Sequence, residues 1–127
     1  MCLDNCQKNV KNFLRYNKGK KYIWCYKEVD VYNDLVLTPF QKTKIKKAGW
    51  FKSDNTLKYP SFINGFIHNG IHVYTKSIIY IIEPKYYLKV KCYVKDLIGI
   101  NYYKDEMVFQ KIFIPSQELK RLKKLFN

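Results

Sequence analysis

The chain has 127 residues, 47% of them apolar and 17% aromatic, which is enough for one compact domain over residues 1–127 and argues against intrinsic disorder. Lys and Arg number 24 against 10 Asp and Glu, a formal charge of +14, so acidic partners are favoured. No apolar run approaches the roughly 18 to 20 residues of a membrane span and no secretory leader is visible, so the sequence predicts a cytoplasmic protein without a membrane partner.

Residues 5–17 place Cys6, Val10, Phe13 and Leu14 at helical spacing, with Asp4 or Asn5 as the starting cap and Gly19 as the stop. Residues 22–29 alternate, with Ile23, Cys25 and Val29 on one side and Tyr22, Trp24 and Tyr26 on the other. Both sides are apolar or aromatic, which predicts a central strand covered on both faces. Residues 30–34 read as a turn and 35–38 as a short strand ending before Pro39.

Residues 41–57 read as a long polar loop carrying Lys42, Lys44, Lys46, Lys47 and Lys52 around Trp50 and Phe51. Lysines beside a Trp-Phe pair suit a nucleic-acid-binding loop, through phosphate attraction and base stacking. The competing and favoured expectation is that both rings anchor the loop to the core.

Residues 62–67 and 71–74 are strand candidates separated by the Asn69-Gly70 turn, and a second turn dipeptide, Asn64-Gly65, falls within the first. Both histidines, His68 and His72, fall here, so this is where a titratable site is sought first. The simpler reading is that they support turns or bond to backbone. Residues 78–82 are β-branched and short enough to favour a strand. Residues 87–94 alternate with Leu88, Val90, Cys92 and Val94 inward and Lys89, Lys91, Tyr93 and Lys95 outward, predicting a wet, basic sheet face.

Residues 96–100 read as a bend and 101–105 as a turn. Residues 106–114 form one strand, with Val108, Ile112 and Ile114 on one face and Met107, Phe109 and Phe113 on the other. The last helix starts at Pro115-Ser116 with Ser116 as cap, and buries Leu119, Leu122 and Phe126. The predicted fold is α+β: an antiparallel or mixed sheet of about five to six strands with N- and C-terminal helices.

The four cysteines, Cys2, Cys6, Cys25 and Cys92, lack the paired spacing of a zinc knuckle, and no phosphate-cradling glycine loop or nucleophile elbow is present. The expectation is therefore no cofactor, no metal and no catalytic residue. Only Arg15 and Arg121 are arginines, so most of the positive charge is of the non-directional lysine kind.

The segments Gly49-Trp50, residues 70–74 (Gly-Ile-His-Val-Tyr), Val90-Lys91-Cys92, residues 95–98 and residues 108–113 resemble a group of small uncharacterised proteins of phages, mobile elements and large DNA viruses. More remotely, the layout is similar to ADP-ribosyltransferases. That resemblance implies a site near His72, Tyr74 and, on the late strand, Gln110 or Glu106, with Lys27 where those enzymes carry Arg or His. The expectation drawn is a small basic binding protein of viral or mobile-element origin in the host-cell cytoplasm. Its partner would be an acidic macromolecule, nucleic acid or a host nucleoprotein, as for a host-defence inhibitor, through Lys42, Lys44, Lys46, Lys47, Trp50, Lys52, Lys89, Lys91, Tyr93 and Lys95. The alternatives are an ADP-ribosyltransferase-like enzyme or degenerate relative, with His68, His72, Tyr74 and Gln110 as its site, and a protein-interaction module with no nucleic-acid role.

Overall fold

A computed structural model of the protein describes residues 3–32, 35–38, 43–52, 62–63, 66–67, 70–75 and 86–125. In chain order the elements are β1 (Leu3–Asp4), α1 (Gln7–Tyr16), β2 (Tyr22–Tyr32), β3 (Leu35–Leu37), β4 (Gly49–Lys52), β5 (Phe62–Ile63) and β6 (Phe66–Ile67). They continue with β7 (Ile71–Tyr74), β8 (Tyr86–Tyr93), a 3-10 turn (Val94–Asp96), β9 (Leu97–Ile100), β10 (Glu106–Phe109), β11 (Lys111–Ile114) and α2 (Ser116–Lys124).

The spine is the antiparallel pair β2–β8, in register from Tyr22 opposite Tyr93 to Val29 opposite Tyr86. Strict alternation sends Cys25 and Val29 from β2, and Leu88, Val90 and Cys92 from β8, to one face at no more than 1% exposure. β11 and then β4 extend the sheet beyond β8, while β7, β10 and β9 extend it beyond β2, and β3 folds back on the far end of β2. The strand order is β4-β11-β8-β2-β7-β10-β9. β1, β6 and β5 form a separate three-stranded sheet.

The α+β class, the antiparallel pairing and a helix towards each end agree with the sequence reading, but this sheet has eight strands instead of five or six. The surplus has three sources. Residues 49–52, read as loop, are β4; residues 97–100, read as a bend, are β9; and residues 106–114, read as one strand, are two. The turn expected over 30–34 is corrected as well, because residues 30–32 continue β2 and pair with β3. The strand expected over 78–82 lies outside the described residues.

The division at Gln110 is a change of face. Before it, Met107 and Phe109 point into the main core; after it, Ile112 and Ile114 do, so the inward parity switches from odd to even. One residue out of register sends every later side chain to the opposite face. Gln110 absorbs the switch, exposed, with its N–H donated to the Asp96 carbonyl at 2.8 Å. Val108, expected on the face of Ile112 and Ile114, instead packs against Ile98 in a small second cluster. β10 lies against β7 and β11 against β8, so Gln110 joins the two ends of the run β11–β8–β2–β7–β10 into a covalent ring, while the hydrogen-bonded sheet stays open with β4 and β9 at its ends.

The helices cover this ring. α1 packs Val10 and Phe13 on the core, but Leu14 is 45% exposed and Asn9 takes the buried place, its Nδ2 donating to the carbonyls of Asn101 (2.8 Å) and Tyr102 (3.0 Å). Neither expected cap on α1 is present. Cys6 precedes the first turn without a side-chain cap, Asn5 Oδ1 instead accepts from the Ile100 N–H at 3.1 Å, and Asn17 rather than Gly19 ends the helix. In α2, Leu119 and Leu122 are buried as expected, while Ser116 lies inside the helix after an uncapped Pro115. Among the described residues no helix is long and apolar enough to cross a membrane.

Candidate nucleic-acid interface

The register aligns one row of side chains across four strands on the sheet face opposite the core. Trp50 (β4) stands opposite Phe113 (β11), Phe113 opposite Lys91 (β8) and Lys91 opposite Trp24 (β2). With strands about 4.8 Å apart, the row is roughly 14 Å long. Two residues along each strand, on the same face, come Lys52 opposite Lys111 and Tyr93 opposite Tyr22.

The rings form a continuous chain. Centroid distances are 5.4 Å for Trp50–Phe113, 5.1 Å for Trp50–Tyr93, 5.6 Å for Tyr93–Tyr22 and 6.0 Å for Tyr22–Trp24, all tilted or edge-on. Lysine ammonium groups lie over them: Lys111 4.5 Å from Trp50, Lys91 4.7 Å from Tyr22 and 5.5 Å from Trp24, and Lys89 5.3 Å from Trp24. Tyr22, Trp24 and Trp50 remain 37%, 43% and 48% exposed, and no carboxylate belongs to these rows.

The sequence placed Trp50, Lys52, Lys89, Lys91 and Tyr93 in a binding surface, and the fold brings all five onto this face. Lys44, Lys46, Lys47 and Lys95 are exposed but lie outside the rows, and Lys42 lies outside the described residues. The anchoring expected of both Trp50 and Phe51 is corrected: on an edge strand they alternate, so Phe51 packs on the core and Trp50 faces out. Also corrected is the covering of β2 on both faces, since Tyr22 and Trp24 stand on the open one. Sequence reasoning missed Tyr22, Trp24, Phe113 and Lys111. The Tyr22-Trp24-Tyr26 alternation was the available signal for half of them, but aromatic side chains read as buried.

The histidine region is built differently. His72 Nδ1 lies 3.2 Å from Glu106 Oε1, both side chains being 15% exposed, and His72 Nε2 is buried without a partner among the described residues. Ile71 and Val73 on either side are core residues. Gly70 (φ +105°) lies so close to β10 that a Cβ there would stand 2.5 Å from Val108 Cγ1. This segment is therefore tightly packed. Gln110 is exposed at the β10–β11 break, His68 lies outside the described residues, and no group of three metal-ligating side chains occurs among those described. In the core the Cys92 thiol is pushed up by its hydrogen bond to Cys25 and by burial, which keeps it protonated.

Beside Lys89 the aromatic face runs into a cleft of about 320 Å³ between β8 and α2, lined by Tyr26, Tyr86, Tyr87 and Lys89 on the strand side and by Glu118, Arg121 and Leu125 on the helix side. Among the described residues β11 meets β8 at Lys91, and no described strand pairs with the next stretch of that β8 edge. α2 supplies side chains instead. Glu118 Oε1 accepts from the Lys89 N–H at 2.7 Å, and Arg121 Nη2 donates to the Tyr87 carbonyl at 2.9 Å. Arg121 Nε and Nη2 also donate to Glu118 at 3.3 Å. Desolvation alone would raise the Glu118 carboxyl pKa, but the bonds from Arg121 and the Lys89 N–H outweigh it and hold the group below its ordinary value.

Comparisons of the chain with protein-family models, with curated proteins and with solved structures find no match.

Proposed function

We propose that the protein is a small basic binding protein that engages single-stranded nucleic acid on the outer face of its sheet. The observation that carries this reading is the unbroken chain of rings, exposed Trp50, Tyr22 and Trp24 linked by half-buried Phe113 and Tyr93 and interleaved with Lys89, Lys91 and Lys111. Rings accept the faces of unstacked bases of any identity, and ammonium groups meet the phosphates between them. A duplex hides those base faces, so single strands are the favoured ligand. On binding, each base replaces an ammonium group over its ring and the freed lysine swings to a phosphate. The resemblance to small proteins of phages and mobile elements supports a viral or mobile-element origin, with host nucleic acid or a nucleoprotein as the target.

A row of about 14 Å accommodates roughly two to three extended nucleotides, and with the flanking lysines about four phosphates are neutralised. For single strands this predicts a log–log salt slope near −3, a loss of roughly 50-fold between 50 and 200 mM salt. Fluorescence anisotropy with labelled oligo-dT and a matched duplex tests it. Single strands are expected to bind tighter, with Trp24→Ala or Trp50→Ala each weakening binding by about five- to 100-fold. Equal affinity for duplex, or indifference to both substitutions, overturns the proposal.

A further inference from the structure

Resting on that reading, we infer that the cleft beside Lys89 takes one unstacked guanine base of the bound strand, making it the one sequence-selective position on an otherwise tolerant surface. Lys89 joins the two parts, since its ammonium lies 5.3 Å from the Trp24 ring and its side chain lines the cleft. A strand following Trp50 to Trp24 is thereby led past Lys89 to the cleft mouth. At about 320 Å³ the cleft lies at the small end of ligand sites, which suits one base better than a dinucleotide.

The lining chemistry selects the base. In a chain with 24 basic residues and only two arginines, one of the two stands here. The Arg121 guanidinium is fixed by bonds to Glu118 and to the Tyr87 carbonyl, and its Nη1 group makes no bond to the described residues. With Nε and Nη2 engaged, the free Nη1 N–H groups are the donors left for guanine O6, and the Lys89 ammonium is the donor for N7. The Glu118 carboxylate, bonded to Arg121 and so beside it, suits the N1–H and N2–H donors next to O6 on the same base. Thymine and uracil keep one such donor, N3–H, but present the O2 carbonyl where guanine presents N2–H. Tyr26 and Tyr87 supply ring surface against the base.

The test compares binding of dT6 with dT6 carrying a single dG, dA or dC, by anisotropy with the full chain. The dG oligomer is expected to bind about tenfold tighter than the others. Arg121→Lys, which keeps the charge but loses the fork, should abolish that preference while leaving dT6 affinity unchanged. So should Leu125→Trp, which fills the cleft mouth at a residue 61% exposed and removes no hydrogen bond. As a check independent of the sheet face, 5′-GMP but not 5′-UMP should shift the Tyr87 and Leu125 NMR resonances, even in Trp24→Ala. No guanine preference, or a preference that survives both cleft variants, overturns the inference while Trp24-dependent dT6 binding leaves the sheet-face reading standing. If no oligomer binds, the sheet-face reading fails and the GMP shifts alone decide the cleft.

Discussion

Lys27 is 7% exposed in β2, opposite the fully buried Leu88. Desolvation lowers its pKa from 10.5 to about 8, although the Glu28 and Glu106 carboxylates pull the other way. Because the folded value lies below the unfolded one, the fold carries the full cost of a buried ammonium group below about pH 8. Between about 8 and 10.5 the folded chain has released the proton and the unfolded chain has not, so stability rises with pH through that window and levels off above it. At 1.36 kcal/mol per pH unit the cost is about 3 kcal/mol. Lys27→Met is therefore expected to be more stable than the native chain at pH 7, with the gap closing towards pH 10.5. Urea unfolding of both proteins at several pH values checks this, and a gap independent of pH contradicts it. Beyond the remote resemblance that set Lys27 at an enzyme position, only its place on an alternating strand marked it among the basic residues, and alternation does not say that Glu28 next to it is buried as well.

At the scale of elements, Gln110 sets the register of everything after it. Deleting it would leave unbroken alternation from Phe109 through Lys111 to Ile112, so the inward faces would be kept. β10 and β11 would, however, be forced into one straight strand that cannot pair with β7 and with β8 on opposite sides of β2. The deletion is expected to abolish cooperative unfolding, whereas Gln110→Ala, at an exposed side chain, should change stability by less than about 0.5 kcal/mol. Thermal and urea unfolding of the two variants separates these outcomes. This switch explains what was legible and what was not. β8 could be read from its period-two pattern because each inward residue is aliphatic or Cys and each outward one is Lys or Tyr. β10 and β11 could not, because Met107, Val108 and Phe109 are apolar on both faces and the break falls on a residue with no turn signature. β4 was hidden for another reason: four residues among lysines carry too little periodicity, and their pairing with β11 is a long-range contact.

Across the whole molecule, a charge of +14 acts in two opposite directions. It attracts polyanions, an effect that salt weakens, and it sets the folded chain against itself, an effect that salt relieves. Raising NaCl from about 20 to 500 mM is therefore expected to increase the melting temperature of the free protein while reducing its affinity for oligo-dT. Calorimetry beside anisotropy in the same buffers reads both, and a melting temperature that falls with added salt would contradict the balance described. Each of β11, β8, β2, β7 and β10 has a strand on either side, so the charge is borne by a frame whose central strands are held from both flanks.

The ammonium groups parked above Trp50, Tyr22 and Trp24 have a consequence for crowding. Two large indoles in the open would ordinarily invite copies of the protein to stick together, but here any second copy approaching ring to ring brings Lys89, Lys91 and Lys111 against their own counterparts. The same cations are displaced at little cost by a ligand that carries negative charge between flat rings. On the proposed binding mode, greasy surface and mutual avoidance are thereby reconciled: the same cations that set one copy against another yield their places to a polyanion.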